Sequence, residues 1–321
     1  MEIHPKEFCI FVASHITKQE RIPLLVECLE SLINQKMSIT IYVSISFDNE
    51  VLMKEAFKNI TENQCTKNCA FLNILVRENK CSQMHHFEML CKEMDSCHKW
   101  IMFCDDDDKY LPDRTFKIGE QIVLHEEYIK NSMLNLAGVY ESTFEKDHRE
   151  QGHEYWNYCI HKDILTHFFE KIEKNINIID QPCCDVLLSA YLRRKDNKWL
   201  FGRLKEKQYV YRESNNDESI THFITSQQSI YTNTSTPPVK HSNEWDKYIK
   251  DFNDFLNVNM HAFMHDLFVL CISNINFDAF LKREFLANYA ILDYVDQEHI
   301  QKLKENHKKW TTIFQSMYEI K

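Results

Sequence analysis

The chain has 321 residues, of which 44% are hydrophobic and 27% are charged, and its formal net charge at pH 7 is −10. This is the composition of an ordinary globular protein, long enough for one large domain or for one domain with an appendage. The negative charge disfavours a nucleic-acid-binding protein, which needs a basic face. No apolar run approaches the roughly 20 residues of a membrane span, and the first residues lack the layout of a signal peptide. We therefore expect a cytoplasmic protein without a transmembrane segment.

The chain contains twelve cysteines and only four glycines. In a reducing compartment most of the cysteines are expected to be reduced core residues. Cys65, Cys69 and Cys81 could belong to a zinc site, but no CxxC pair and no matching histidine pair completes it. The glycines are too scattered for a Walker A loop or a dinucleotide fingerprint. A nucleotide, if bound, would be held by side chains, a metal and ordinary turns.

The first 110 residues alternate between predicted strands and predicted helices. Strands are predicted at 8–13, 39–47, 70–76 and from Trp100 onward, and helices at 23–35, 54–60 and 82–94. Such an alternation indicates a mainly parallel sheet with crossover helices.

The rest of the chain is mixed. Strands are predicted at 133–140 and 155–160, and helices at 162–174 and 184–194. A polar stretch follows that is typical of a mobile loop. From residue 244 onward, the spacing of aromatic residues predicts a helical appendage that packs on the first domain or serves in a homodimer.

The most informative segment is an apolar run, 100–104, that leads directly into four carboxylates, Asp105 to Asp108. Adjacent carboxylates repel one another by roughly 1–4 kcal/mol per pair in a protein-like dielectric. Oxygen ligands of this kind suit Mg²⁺ or Mn²⁺, often together with substrate phosphates. A solvated acidic turn is the plain alternative. The buried strand favours a ligand site, because ligands of α/β sheets gather at the carboxyl ends of strands.

Five segments together resemble the family-2-like glycosyltransferases of the GT-A fold. The acidic segment, Phe-Cys-Asp-Asp-Asp-Asp-Lys-Tyr-Leu-Pro-Asp, matches the metal-binding Asp-x-Asp motif of that family and its following Pro-Asp. The other four are individually less specific: Val-Ala13-Ser14-His after the first strand, Phe-Asp48-Asn after the second, Cys-Asp185-Val-Leu-Leu, and Tyr-Arg212 followed by Ser-Ile-Thr-His222. The resemblance covers roughly residues 8–225.

The resemblance implies an α/β protein of the GT-A type, with a Rossmann-like, mainly parallel central sheet flanked by helices and a helical C-terminal appendage. It implies a catalytic domain at 1–225, with a nucleotide-sugar half at about 1–110 and an acceptor half at about 130–225. A flexible loop at 226–243 and a helical region at 244–321 would follow.

The resemblance also implies roles for single residues. Asp105, Asp107 and His222 would bind Mn²⁺ or Mg²⁺, and the nucleotide-sugar donor, UDP- or GDP-linked, would contact Ala13, Ser14, Asp48, Asp105, Asp106 and Arg212. Asp185 would act as the general base that takes the proton from a hydroxyl of a glycan or similar acceptor, with inversion at the anomeric carbon. Because Asp185 opens a helix, we expect its pKa to be low, with basicity gained by desolvation when the acceptor binds.

Several of these residues have plainer alternatives. Asp48 would be a strand-end turn residue, Arg212 a partner in a surface salt bridge and His222 a surface histidine. Tyr155 and Trp156 are either a platform for a sugar ring or core residues.

Asp180 is the alternative general base. At the level of function, the alternatives are a Mg²⁺-dependent nucleotidyltransferase or phosphotransferase and a non-catalytic cation-binding scaffold.

Overall fold

The computed structural model describes residues 2–143, 154–174, 178–181, 183–193, 199–212 and 237–318. The chain divides into two compact units. The first comprises residues 1–180 and 184–212, and the second comprises residues 181–183 and 213–321. His222 and most of the predicted loop at 226–243 lie outside the described residues.

The first unit is built on a mainly parallel sheet. Its strands are β1 (Phe8–Ile16), β2 (Thr40–Phe47), β3 (Leu72–Val76), β4 (Trp100–Asp105), β6 (Asn135–Glu141), β7 (Tyr158–His161) and β8 (Trp199–Leu204), and their order is β3-β2-β1-β4-β7-β6-β8. Of these, β7 runs antiparallel to both of its neighbours, β4 and β6. Two short strands, β5 (Lys109–Tyr110) and β9 (Tyr209–Val210), form a separate antiparallel pair.

Six helices connect these strands. They are α1 (Arg21–Ile33), α2 (Glu50–Glu62), α3 (Gln83–Glu93), α4 (Arg114–Ile129), α5 (Lys162–Glu173) and α6 (Cys184–Arg193), and short 3₁₀ turns precede β1 and β7. Asn49 caps α2 and Ser82 caps α3, each accepting a hydrogen bond from a backbone N–H of the first turn, which satisfies groups that a helix start leaves unpaired.

The centre of the sheet is buried on both of its faces. Residues Phe8 to Val12 of β1 are at most 2% exposed, and so are residues Trp100 to Cys104 of β4. Consecutive residues of a strand point to opposite faces, so helices must cover both sides. This explains why β1 and β4 are continuous apolar runs rather than alternating ones.

Gly138 lets β6 pass close to β7. Its φ is +158°, and a Cβ atom at this position would lie 2.0 Å from the carbonyl oxygen of Cys159. The register of β6 against β8 shifts at the same place, between Leu136 and Gly138. Only glycine accommodates this backbone at such a close approach.

The predicted fold class, a mainly parallel sheet flanked by helices with a helical C-terminal region, is confirmed. The predicted strand at 155–160 is wrong in its first half, because residues 155–157 form a 3₁₀ turn before β7 begins. The helix α4 and the strands β5 and β8 were not predicted, and β9 was expected only as part of a strand-and-loop element that begins at Val210.

The second unit is helical where it is described. It contains α7 (Trp245–Ile272), α8 (Phe277–Phe285), a 3₁₀ segment (Leu286–Tyr294) and α9 (Gln297–Tyr318). Phe268 of α7 packs edge-on against Trp310 and Phe314 of α9, at 5.2 Å between ring centroids in both cases. Aromatic rings and aliphatic side chains such as Leu256 and Leu267 are buried together in its core.

By length and composition, α7 could cross a membrane. Its most apolar window has a mean hydropathy of 1.3, and 61% of that window is buried within the protein. The expectation of a chain without a transmembrane segment therefore stays a prediction. Core helices of globular proteins pass the same test, so α7 is weak evidence for a membrane span.

Candidate active site

The carboxyl ends of β1, β2 and β4 meet at one edge of the sheet. Ala13 of β1 lies in register with Asp105 of β4 on one side and with Ser44 of β2 on the other. Parallel strands therefore bring the Ala13–Ser14 segment, the end of β2 and the four carboxylates to the same place, as expected for ligand sites in open α/β sheets.

Asp106 is bound by side chains of β1 and α1. Its Oδ2 accepts a hydrogen bond of 2.6 Å from the Ser14 hydroxyl, and its Oδ1 lies 2.6 Å from Nη2 of Arg21 at the start of α1. Burial raises the pKa of Asp106, although the Arg21 guanidinium acts in the opposite direction. Both oxygens are thus already used within the protein. Ser14 and Asp106 remain predicted nucleotide contacts, and any such contact would have to share these partners.

Asp105 lies between Gln83 and Tyr155. Its Oδ1 accepts a hydrogen bond of 2.7 Å from the Gln83 amide and a short one from the Tyr155 hydroxyl. Burial raises the pKa of Asp105 well above its usual range, and the neighbouring carboxylates raise it further. The protein therefore places a carboxylate where its negative charge is disfavoured unless a cation compensates it.

Asp108 joins the acidic segment to β9. Its Oδ2 accepts a hydrogen bond of 2.7 Å from the Tyr209 hydroxyl, and its Oδ1 accepts one of 2.7 Å from the backbone N–H of Arg212. Burial raises the pKa of Asp108 to about 6. This carboxylate is 1% exposed, so it holds the loop in shape rather than facing a ligand.

Asp107 differs from Asp106 and Asp108 because a quarter of its side chain is exposed. Among the residues that the structure describes, the nearest cationic group is the Arg21 guanidinium, 4.0 Å away. Together with Asp105, it offers a set of carboxylate oxygens, which are the ligands that Mg²⁺ and Mn²⁺ prefer. The crowding that raises the pKa of Asp105 is what a divalent cation would relieve, so these residues fit such a metal.

Asp48 belongs to a second polar cluster at the end of β2. Its Oδ1 lies 2.8 Å from Nε2 of His15, whose Nδ1 lies 2.8 Å from the Ser46 hydroxyl. Ser46 is also 3.4 Å from Nε2 of His86, which burial keeps neutral by lowering its pKa to about 4. Asp48 is 45% exposed, so it could still meet a nucleotide while it orients His15.

Arg212 pairs with Glu27 on α1, with 2.9 Å between Nη2 and Oε2. Lys109 contacts the same carboxylate at 2.5 Å, and this ammonium is the main reason why the pKa of Glu27 is lowered. A phosphate group would have to compete with Glu27 for the guanidinium. The predicted contact of Arg212 with a pyrophosphate therefore stays a prediction, and its salt bridge is observed.

Asp185 lies in the first turn of α6 and is partly buried. Burial raises its pKa to about 6, against the lowering effect of the Val186 N–H. The expectation of a low pKa at a helix start is therefore wrong, because desolvation outweighs the helix terminus. A carboxylate with a raised pKa is a better base than an ordinary aspartate.

Tyr155 connects Asp185 to the acidic segment. Its backbone N–H donates to the Ser189 hydroxyl of α6 at 2.9 Å, while its own hydroxyl donates to Asp105. Burial is the main cause of the raised pKa of Tyr155, and both Asp105 and Asp185 contribute to it. Tyr155 thus bridges α6, through Ser189, and the acidic segment, through Asp105.

The two aromatic residues considered as a sugar platform have different surroundings. Tyr155 is 2% exposed and acts through its hydroxyl. Trp156 stacks on Tyr209 at 4.4 Å between centroids and on Tyr211 at 5.8 Å. Asp180, the alternative base, is 58% exposed and lies 3.5 Å from Nδ1 of His85.

Sequence reasoning missed Arg21, Gln83 and Tyr209 as partners of the acidic segment. Arg21 and Gln83 each stand at the start of a helix that follows a strand, which is a usual place for ligand-contacting residues in an α/β sheet. No local pattern identifies Tyr209, because it lies 101 residues away from Asp108 in the sequence and the two meet only in the folded protein.

No model of a known protein family matches the chain, and no curated protein matches it. Among solved structures, S. aureus TarS matches with a TM-score of 0.41 and 13% identity over 97% of this chain. The chain spans 55% of that TarS chain, or about half its length.

Two further solved structures are similar to a comparable degree. S. aureus TarS 1–349 in complex with UDP-GlcNAc has a TM-score of 0.38 and 13% identity, covering 98% of this chain and 90% of its own. The mannosyltransferase PcManGT from Pyrobaculum calidifontis, in complex with GDP-Man and Mn²⁺, has a TM-score of 0.41 and 11% identity. The match covers 99% of this chain and 88% of the PcManGT chain. Likeness at this level decides nothing about function, which must be argued from the residues of the site.

Proposed function

We propose that this protein is a metal-dependent glycosyltransferase that moves a sugar from a nucleoside-diphosphate sugar to a hydroxyl group of an acceptor. The observation that carries the proposal is the acidic segment at the carboxyl end of β4. In it, Asp106 and Asp108 are fixed by hydrogen bonds, while Asp105 and Asp107 offer carboxylate oxygens. Two carboxylates that hold the loop and two that offer free oxygens are expected of a metal site whose ligands are oriented by neighbouring hydrogen bonds.

Asp105 and Asp107 would hold Mg²⁺ or Mn²⁺, and the bound ion would supply Lewis-acid stabilisation of the charge that develops on the leaving diphosphate. Gln83 and Tyr155 orient Asp105 through their hydrogen bonds. The Ser14 segment and Asp48 stand at the same sheet edge, where a nucleoside would reach them. His222 as a further metal ligand is part of the proposal, on the sequence motif alone.

Asp185 is proposed as the general base. Its pKa of about 6 keeps it ionised at neutral pH and gives it more basicity than an ordinary aspartate. It would accept the proton from the acceptor hydroxyl as that oxygen attacks the anomeric carbon. In this proposal the acceptor oxygen displaces the nucleoside diphosphate in a single step, so that the anomeric carbon is inverted.

The test is to incubate the protein with Mn²⁺, a UDP- or GDP-sugar and an acceptor library of simple glycosides, and to identify the products by mass spectrometry. A glycosylated acceptor and a free nucleoside diphosphate in equal amounts are expected. Asp185→Asn should lower the rate by about 10²–10⁴-fold without loss of nucleotide binding. Transfer of a phosphoryl or nucleotidyl group instead would identify the phosphotransferase alternative.

A further inference from the structure

A second group of ligating side chains lies in the turn between α3 and β4, at the sheet edge opposite the acidic segment. Within the described part of the chain, Asp95, Cys97 and His98 form the one group of three His, Cys, Asp or Glu residues whose ligating atoms all lie within 4.8 Å of one another. Cys65, Cys69 and Cys81 belong to no such group there. We propose that the turn at 95–98 binds Zn²⁺.

His98 is the strongest argument for this site. It is 2% exposed, and its Nδ1 lies 2.9 Å from the carbonyl oxygen of Lys6. A carbonyl oxygen only accepts hydrogen bonds, so Nδ1 carries the proton and Nε2 carries a free lone pair. That Nε2 atom is buried and has no hydrogen-bond partner. An unpaired buried polar atom destabilises the folded state, and histidines that bind metals are commonly oriented by a hydrogen bond from the other ring nitrogen to a carbonyl.

Asp95 is placed to share an ion with this nitrogen. Its Oδ2 lies 4.0 Å from Nε2 of His98, which is too long for a hydrogen bond. Two ligands of a tetrahedral zinc ion with bonds of 2.0–2.1 Å are about 3.4 Å apart, so a small side-chain movement suffices. The backbone around Asp95 is fixed, because its N–H donates to the Tyr42 hydroxyl at 3.1 Å and its carbonyl accepts from the N–H of His98 at 3.1 Å.

Cys97 supplies the third ligand. Its Sγ lies 4.0 Å from Nδ1 of His98, and the ligating atoms of all three residues lie within 4.8 Å of one another. Because Nδ1 is protonated, binding requires the exposed Cys97 side chain to rotate toward Nε2. On binding, the thiol would release its proton to solvent and form a sulfur–zinc bond, with no change of oxidation state. The turn is also held by Lys162, whose Nζ donates to the carbonyl of Ser96 at 3.2 Å.

The donor set separates this site from the one at the acidic segment. A thiolate, an imidazole and a carboxylate suit Zn²⁺, whereas an all-oxygen set suits Mg²⁺ or Mn²⁺. The two sites are separated by the six residues of β4, or roughly 20 Å. Zinc at this turn would have a structural role. It would hold the start of β4 against the residues that precede β1, through the bond of His98 to Lys6.

The experiment uses Co²⁺ as a spectroscopic probe of the full-length, reduced and metal-free protein. One equivalent should give a thiolate-to-cobalt charge-transfer band in the near ultraviolet, and Zn²⁺ should displace it. Cys97→Ser should lose the band and Asp95→Asn should weaken Co²⁺ binding at least tenfold. Both side chains are exposed, so both variants are expected to fold.

The matched control is Cys65→Ser, which should keep the band. Asp107→Asn should also keep it, so that loss of the proposed catalytic metal leaves this result unaffected. A protein without any thiolate band, or a band that persists in Cys97→Ser, would overturn the proposal.

Discussion

At the scale of single residues, the four consecutive aspartates have different tasks. Asp106 and Asp108 each use both oxygens within the protein, as partners of Ser14, Arg21, Tyr209 and the Arg212 backbone. Asp107 is a quarter exposed and lies 4.0 Å from the Arg21 guanidinium, and Asp105 is oriented by Gln83. The four aspartates thus divide into two anchors, Asp106 and Asp108, and two candidate ligands, a distinction set by tertiary contacts.

The first prediction concerns Tyr155. Its hydroxyl donates to Asp105, so Tyr155→Phe removes a bond that orients a proposed metal ligand. We expect Mn²⁺ affinity to fall about 10–100-fold with little change in the far-ultraviolet circular dichroism. Titration calorimetry measures the affinity.

Tyr158→Phe serves as the matched control for that variant, because Tyr158 is equally buried and its ring packs against Tyr140 of β6 and Phe201 of β8. If both variants bind Mn²⁺ with the affinity of the wild type, Asp105 and its tyrosine do not hold the metal.

The second prediction concerns pH. The pKa of Asp185 is raised to about 6 by burial, and a general base must be ionised to act. The kcat/KM for transfer should therefore be constant above pH 7 and should fall about tenfold per pH unit below pH 6. The rate profile between pH 5 and pH 8 measures this. A profile that stays flat down to pH 4.5 would exclude Asp185 as the base.

At the scale of secondary-structure elements, a buried ion pair joins α4, β6 and β9. Arg114 is fully buried and its Nε donates to Glu141. The other oxygen of Glu141 accepts the backbone N–H groups of Gln208 and Tyr209, at 2.7 and 3.0 Å. Tyr209 in turn holds Asp108. The Arg114–Glu141 pair therefore stabilises the conformation of the acidic segment indirectly, through Tyr209 and Asp108.

The third prediction follows from that pair. Arg114→Met and Glu141→Leu should each lower the free energy of unfolding by about 3–5 kcal/mol, because each leaves the partner charge buried and unpaired. The loss of unfolding free energy in the double variant should be clearly smaller than the sum of the losses in the two single variants. Urea denaturation measures the free energy of unfolding of all three.

The control is the exposed pair of the same helix, Lys117 with Glu206. Glu206→Gln should change stability by less than about 1 kcal/mol. Additive losses in the Arg114 and Glu141 variants would contradict the prediction.

The fourth prediction concerns the contact between α7 and α8. Burial and the neighbouring Asp266 raise the pKa of Glu284 to about 8. The folded state thus holds this proton more tightly than the unfolded chain, and stability must fall as pH rises from about 4.5 to about 8. Glu284→Gln should remove most of the loss seen between pH 5 and pH 9, on the order of 4 kcal/mol at 1.36 kcal/mol per pKa unit.

Urea denaturation at the two pH values measures this difference. Glu305→Gln, an exposed carboxylate on α9, should follow the wild type. A wild type and a Glu284→Gln variant with the same pH dependence would show that Glu284 is ionised in the folded protein.

At the scale of the whole molecule, the alternating strands and helices of the first half were predictable, because β1, β2 and β4 are buried and their apolar runs are strong local signals. The acidic segment was predictable as a site for the same local reason. The contacts of Arg114 and Tyr209 with Glu141 and Asp108 were not predictable, because they join distant parts of the chain. The raised pKa of Asp185 was also not predictable from the sequence, because it depends on how deeply the side chain is buried in the folded protein. A cytoplasmic location and a homodimer stay predictions.

The most direct test of the central claim is a calorimetric titration of the protein with UDP and with GDP, each with and without Mn²⁺, in the wild type and in Asp107→Asn. The account predicts that one nucleotide binds only when Mn²⁺ is present and that Asp107→Asn abolishes this binding. The exposed carboxylate variant Asp251→Asn should behave like the wild type. Nucleotide binding that needs no metal, or that survives in Asp107→Asn, would contradict the account, and so would the absence of binding by either nucleotide.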